Sequence, residues 1–376
     1  MKTIFINYIT KYPIIYIFFC FVLLGFSSYV LFPDKDYSDM ENRYLAKCPR
    51  ITWNSIADGR FMNEFETYVE EQLGFRDAFV KVKAVSETVL FKCENNGIAR
   101  GKEGFLFEKK LNTSPQLDKN IAAIVQFVKK TQRNVYILIA PTSSYVYREY
   151  VPMGMPVLDE ENAQIKLSDA LKTYKNAHVI DLKDAFKTAA GESLYYKTDH
   201  HWRTNAAYQV YKILGSKLNY DAVEYDKYGI SSVDDFYGTY YAKYKGVGVV
   251  SDVIEYPTIL IDTYDDGKAV HDNLYDFDKI GVYDKYAMFM YGNPGVGRIT
   301  SRVCKNDRSL IVIKNSYANC MLPFLICSYE NIITIDPRYC GESIQEIINK
   351  NDTAEILMLY DWSFVDEDNH FYKIIK

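Results

Sequence analysis

The sequence contains no run of Lys and Arg. Its 44 basic side chains are outnumbered by 49 acidic ones, for a net charge of −5. Binding a phosphate backbone needs a concentrated basic surface, so nothing here supports a nucleic-acid partner. Glycine-rich motifs that cradle phosphates are also missing, and no nucleotide cofactor is implied. Seven Cys occur, but none in a Cys-x-x-Cys or Cys/His spacing of the kind that holds zinc. Internal repeats and low-complexity linkers are absent. What remains is ordinary globular composition: 376 residues, 48% hydrophobic and 25% charged. That length accommodates one large domain, alone or with a small accessory region. Tyrosine is abundant, with 34 residues. It is an aromatic that suits carbohydrate surfaces, and also one that low-GC codon usage enriches.

One stretch carries no charge at all, Ile14 to Phe32. Nineteen helical residues reach roughly 28 Å, close to the hydrocarbon thickness of a bilayer. Lys2 and Lys11 precede it, whereas Asp34, Asp36 and Asp39 follow with only Lys35 among them. The positive-inside bias then predicts a cytoplasmic N-terminus over 1–13, a transmembrane helix over 14–32, and everything from 33 onward outside the cytoplasm. A cleaved signal peptide is the competing reading. It would need a shorter apolar core ending in small residues, whereas Ser27-Ser28 runs on into Tyr29-Val30-Leu31-Phe32. The residues before Cys20, Ile17-Phe18-Phe19, lack the small side chains of a lipoprotein cleavage site. Cys48, Cys93, Cys304, Cys320, Cys327 and Cys340 would lie outside, where disulfides are chemically permitted.

Beyond the anchor, 33–100 reads as a membrane-proximal helical region, with amphipathic helices near 61–73 and 77–91. Residues 97–107 read as two short strands around a Lys-Glu-Gly turn. A βα alternation follows. Helices are predicted at 121–130, 167–174, 204–218, 318–329 and 343–349, and strands at 135–140, 178–182, 310–313, 332–335 and 356–360. Thr204 is the expected N-cap of its helix. The interval 221–300 looks irregular. Short apolar strands separated by amphipathic helices predict an α/β domain over 101–376 with a mostly parallel sheet covered on both faces, in three layers.

Two of the five His are adjacent, in Thr198-Asp199-His200-His201-Trp202. In an extended segment Asp199 and His201 would point to the same side, so the carboxylate would orient the imidazole and stabilise its protonated form. His200 would then face the other way, as a structural or substrate-facing side chain. A metal-binding or merely structural His pair fits the spacing as well. The matching nucleophile is Ser316, which follows the apolar run Leu310–Ile313. A strand–Ser–helix corner exposes the hydroxyl at the C-terminal edge of a sheet, where helix N–H groups can bind an oxyanion. The plainer reading of Ser316 is a helix cap.

Taken together, Asp199-His200-His201-Trp202 and the late strand–Ser–helix resemble the DHHW family, which is similar to the alginate O-acetyltransferase branch of the SGNH-hydrolase-like superfamily. Other blocks carry the same resemblance: Glu41-Asn42-Arg43, Phe75-Arg76-Asp77, Gly101–Phe107, Tyr291-Gly292-Asn293 and Asp336-Pro337-Arg338-Tyr339. The resemblance implies an SGNH-like domain with Asp199 as orienter, His201 as general base and Ser316 as nucleophile. Asn293, Tyr317, Arg338 and Tyr339 become candidates for contacts to substrate or oxyanion. The residue before the serine is often Asp in this pattern. Here it is Asn315, which puts the local support of the serine in question.

The expected activity is that of a membrane-anchored O-acetyltransferase or esterase acting on a cell-envelope polysaccharide, without metal or cofactor. The resemblance also suggests a multi-spanning membrane acyltransferase as acetyl supplier. The alternative is a non-catalytic glycan-binding or assembly component that keeps only the fold.

Overall fold

The structure, a computed structural model, describes residues 12–38, 43–90, 92–189, 191–282 and 284–376. Glu41 and Asn42 of the membrane-proximal block, and nearly all of the expected cytoplasmic stretch 1–13, lie outside the described residues. The chain forms two compact units. One comprises the chain up to Lys92 with Lys245–Val247, and the other Cys93–Tyr244 with Gly248–Lys376.

In the first unit, α1 spans Pro13–Leu31, 19 residues without a charged side chain. Its apolar residues are exposed on several sides, among them Ile14, Ile17, Phe18, Leu24 and Phe26. Among the described residues no helix is long and apolar enough to cross a membrane. The expectation of a transmembrane helix over 14–32 therefore rests on the sequence alone. Helices α2 (Arg60–Gln72) and α3 (Arg76–Val89) follow close to where amphipathic spacing puts them. The Asp58 carboxylate accepts from the Arg60 amide at 3.0 Å at the start of α2.

The second unit opens with a three-stranded antiparallel sheet, β1 (Glu94–Asn95), β2 (Ile98–Arg100) and β3 (Leu106–Glu108). The turn Lys102–Gly104 joins the last two. The main sheet is built from β4 (Val135–Ala140), β5 (Ala177–Ile180), β8 (Ile261–Asp265), β9 (Val270–His271), β10 (Val296–Ser301), β11 (Ser309–Lys314), β12 (Asn331–Ile335) and β13 (Glu355–Asp361). Strands β6 (Gly229–Phe236) and β7 (Asp252–Thr258) pair separately as an antiparallel ribbon. The spatial order of the eight strands is β9-β8-β10-β12-β11-β13-β4-β5. From β12 to β5 the pairing is parallel, and from β9 to β12 antiparallel.

The alternation of side chains along these strands divides the core. Leu310, Val312, Leu357, Leu359 and Leu138 point into one cluster, together with helix α6 (Thr204–Leu218). Ile311, Ile313, Ile356, Met358 and Ile137 point into the other, covered by α4 (Gln116–Thr131), α5 (Glu160–Leu171) and α7 (Ile344–Lys350). A sheet buried on both faces gives the three layers.

Three expectations are corrected. The interval 221–300 is not irregular: it supplies the β6–β7 ribbon and three antiparallel strands of the main sheet. Thr204 is the first residue of α6 rather than its cap, Arg203 takes the cap position, and the Thr204 hydroxyl donates to the Glu255 carbonyl. The helix expected over 318–329 is reduced to a single turn, Leu322–Leu325, with Pro323 in its first turn, where a missing N–H costs nothing. Among the described residues no disulfide forms.

Candidate active site

The C-terminal ends of the parallel strands share one edge of the sheet. Ser316 follows β11, Asp361 ends β13, and Thr142 lies two residues past β4. The loop that brings the histidines to this edge is short and closed. Tyr195 and Trp202 form an antiparallel bridge across it, and Asp199, His200 and His201 lie in the bend between them. The segment is thus not extended. Asp199 reaches His201 through an Asx turn, its Oδ1 accepting from the His201 amide at 2.8 Å and from the His201 Nδ1 side at 2.5 Å. On the other edge of the ring, His201 Nε2 lies 2.8 Å from the Ser316 hydroxyl. Asp199 and His201, two residues apart, are therefore joined to the distant Ser316 in one line of hydrogen bonds. His201 is buried, while Ser316 is half-buried and opens onto a cleft.

The second carboxylate oxygen of Asp199 is held by a residue that sequence reasoning missed. Thr239 gives Oδ2 both its amide, at 2.7 Å, and its hydroxyl, at 3.0 Å. The preceding Gly238 makes this approach possible, because a Cβ there would stand 2.2 Å from Oδ2. Burial pushes the Asp199 carboxyl up. The two imidazoles and the hydrogen bonds from His201 and Thr239 outweigh it, holding the group well below the usual carboxylate range. Asp199 is therefore a fixed anion. A buried anion at Nδ1 sets the tautomer that leaves Nε2 free to accept a proton. The face of His201 is fixed by Tyr286, whose ring stacks on it at 3.8 Å and 11°. Tyr286 also donates to the Ser316 carbonyl at 3.3 Å.

Two bonds stitch the histidine loop to the serine turn. Trp202 Nε1 donates to the Tyr317 carbonyl at 2.9 Å, and the Tyr317 hydroxyl donates to the His200 carbonyl. The serine turn is itself a short 3₁₀ segment, Ser316–Ala318, capped by Asn315. Asn315 Oδ1 accepts from the Tyr317 amide at 3.2 Å, and its Nδ2 donates to the buried Asp361 carboxylate at 2.6 Å. Asp361 also caps α8 (Trp362–Glu367). Burial pushes its carboxyl up, opposed by His200, Asn315 and the Phe364 amide. In this setting Asn supports the serine better than Asp would, because a carboxylate at 315 would face another carboxylate. Of the helix-start amides expected to bind an oxyanion, Tyr317 N is engaged with Asn315 Oδ1 and Ala318 N with the Asn315 carbonyl.

The cleft has a volume of about 540 Å³ and is lined by His200, Thr239, Tyr240, Ser316, Tyr317, Arg338 and Phe364, with Glu108, Lys243 and Glu367 among its charged residues. This places the remaining candidates. Tyr317 and Arg338 line the cleft, with Arg338 held to Asp336 at 3.0 and 2.6 Å and lying over the Phe364 and Tyr339 rings. Tyr339 is exposed and outside the lining, acting as a platform for Arg338. Asn293 is also outside it, its Oδ1 accepting from Asn319 at 3.2 Å. His200 lines the cleft and is not turned away from Asp199, its Nδ1 lying 3.6 Å from Oδ1. The only cluster of metal-ligand types among the described residues is Asp199, His200 and His201, in which the Asp199 carboxylate and both His201 ring nitrogens are engaged as described.

A profile of the DHHW protein family matches residues 113–335, more than half of the sequence, including Asp199, His201, Thr239, Tyr286 and Ser316. The chain belongs to the DHHW family. Among solved structures, a DHHW family protein from Eubacterium siraeum aligns over 75% of this chain and 95% of its own at 22% identity, with a TM-score of 0.64. Bacillus cereus PatB1 aligns over 74% of this chain and 98% of its own at 18–19% identity in two structures, with a TM-score of 0.61. The shared α/β architecture is what these likenesses establish. No curated protein matches the chain in sequence.

Proposed function

We propose that this DHHW protein is a serine-dependent O-acyltransferase or esterase acting on a cell-envelope polysaccharide, held at the membrane by residues 14–32. The observation that carries the reading is the line from Asp199 through His201 to a half-buried Ser316 at the mouth of a cleft. His201 Nε2 takes the Ser316 proton as the oxygen attacks the carbonyl carbon of an acetyl ester. The proton passes to the departing alcohol, leaving an acetyl-serine. A sugar hydroxyl or water then gives its proton to His201 and attacks. The new ester or acetate departs, and Ser316 regains its proton. Asp199, already an anion, compensates the imidazolium at both stages.

The polysaccharide and the acyl chemistry are supported by the resemblance to the alginate O-acetyltransferase branch and by the aromatic, polar lining of the cleft. The anchor is supported by the uncharged 14–32 and its flanking charges, which orient the α/β domain outside the cytoplasm. A multi-spanning membrane acyltransferase is the partner such an orientation calls for, since an acetyl donor made inside must be delivered across the bilayer.

The test is turnover of p-nitrophenyl acetate by the full chain, wild type beside Ser316→Ala and His201→Ala. Each substitution is expected to lower the acylation rate by about 10²–10⁴-fold. Equal rates in all three proteins would remove the proposal. PatB1 is known with a sulfonyl adduct. The same class of electrophile, a sulfonyl fluoride, should modify the wild type here and spare Ser316→Ala.

A further inference from the structure

Beside the Asp199–His201–Ser316 line stands a second imidazole that takes no part in the acyl transfer. His200 lines the cleft, its side chain 31% exposed. Its Nδ1 lies 2.6 Å from the Thr239 hydroxyl. That hydroxyl has one proton, and at 3.0 Å from an Asp199 carboxylate that stays ionised it donates there. Nδ1 must therefore carry the hydrogen and donate it to Thr239 Oγ1. Burial, and next His201, push the His200 imidazole down and outweigh the pull of Asp199, so the ring is neutral. Nε2 then bears an unshared pair and makes no hydrogen bond among the described residues. It is the ring nitrogen left for a ligand.

The two imidazoles pack face against face, tilted by 38°, with centroids 3.8 Å apart. In the acyl-enzyme an attacking hydroxyl must sit at His201 Nε2. Gauche vicinal hydroxyls of a saccharide are separated by about a hydrogen-bond length, so a second hydroxyl of the same ring falls at the neighbouring imidazole. Tyr240 and Tyr317, both buried, flank it with ring centroids 6.2 and 6.0 Å from His200 and fix the imidazole in place. We infer that His200 is the acceptor-positioning residue of this site, receiving a hydrogen bond from the hydroxyl next to the one being acylated, so that vicinal diols compete with water for the acyl-enzyme. The inference rests on the acyl-transfer reading and adds to it the class of acceptor. His200 moves no proton: His201 alone takes it from the attacking hydroxyl and returns it to Ser316.

The experiment acylates the full chain with p-nitrophenyl acetate and supplies glycerol, a vicinal polyol, or 1,3-propanediol, a non-vicinal one. The readout is acetyl ester formed divided by acetate released, a ratio that does not depend on how much acyl-enzyme accumulates. The wild type should favour glycerol by about tenfold, the worth of one well-made hydrogen bond. His200→Asn keeps an amide where Nδ1 meets Thr239 but has nothing at Nε2, and should abolish the preference. His200→Gln places an amide oxygen near Nε2 and should restore part of it. A purely structural role would lower ester and acetate together and leave the ratio unmoved, which overturns the inference. So does a wild type indifferent to the two diols, a result that decides the matter even if His200→Asn fails to fold. Nitrophenol release that is equally slow in wild type and Ser316→Ala would instead remove the acyl-enzyme itself.

Discussion

Asn315 stands between two demands. Its carbonyl oxygen must accept from the Tyr317 amide to hold the serine turn, and its amide nitrogen faces a buried carboxylate at 2.6 Å. An aspartate meets the first demand and violates the second. In Asn315→Asp the two carboxylates would share one proton, and the second ionisation of the pair would be raised well above the ordinary value near 3.9. Between that value and the raised one the folded protein holds a proton that the unfolded chain has released. Stability therefore falls as pH rises through this window. The expected result is a variant near wild-type stability below about pH 4, losing ground as the pH rises above it, and less stable by about 2 kcal/mol at pH 8. Thermal unfolding of the two proteins across pH measures it. A deficit that does not change with pH would show that the pair is not the cause.

At the scale of elements, the site depends on two loops held in register. Trp202 does this from the end of the histidine loop, fully buried, with its indole N–H on the Tyr317 carbonyl and its ring edge-to-face with Phe186 at 6.2 Å. Trp202→Phe keeps most of the apolar volume, leaves that carbonyl unpaired, and should cost about 2–3 kcal/mol. Because the carbonyl belongs to the residue after Ser316, acylation measured well below the melting temperature should also fall, by about tenfold. A loss of stability with an unchanged rate would mean that the stitch does not position the serine. The same elements explain what the sequence made legible. Strands β4, β11, β12 and β13 could be read because each is a short apolar run bounded by polar residues, as strands buried on both faces must be. The edge strands β8–β10 could not, because Ile261-Asp262-Thr263-Tyr264-Asp265 mixes acids and Tyr as an antiparallel edge allows, and no helix separates it from its neighbours. In the site, Asp199 and His201 could be found because they lie two residues apart. Thr239 and Tyr286 could not, since each belongs to a stretch with no periodic signal, and each is brought in by contacts distant in the chain. Extended geometry puts His200 on the wrong side, because an Asx turn operates there.

At the scale of the whole molecule, the proposed topology makes a chemical claim about which solvent each thiol meets. Cys48 and Cys93 are exposed, whereas Cys320 and Cys340 are buried in the α/β domain. Burial pushes the Cys320 thiol up to about 12 and raises that of Cys340, so both are poor nucleophiles. If 14–32 spans the bilayer with Lys2 and Lys11 inside, Cys48 and Cys93 face the outside of the cell. A maleimide that cannot cross the membrane should then label the protein in intact cells, and Cys48→Ala combined with Cys93→Ala should remove most of the label. Charge, not hydropathy, sets the direction. Replacing Lys2 and Lys11 by Asp, while Asp34, Asp36 and Asp39 become Lys, reverses the bias and should abolish labelling until the cells are permeabilised. A wild-type protein labelled only after permeabilisation would place the site with the cytoplasmic acetyl pool. It would then need no partner to carry acetyl groups across the membrane.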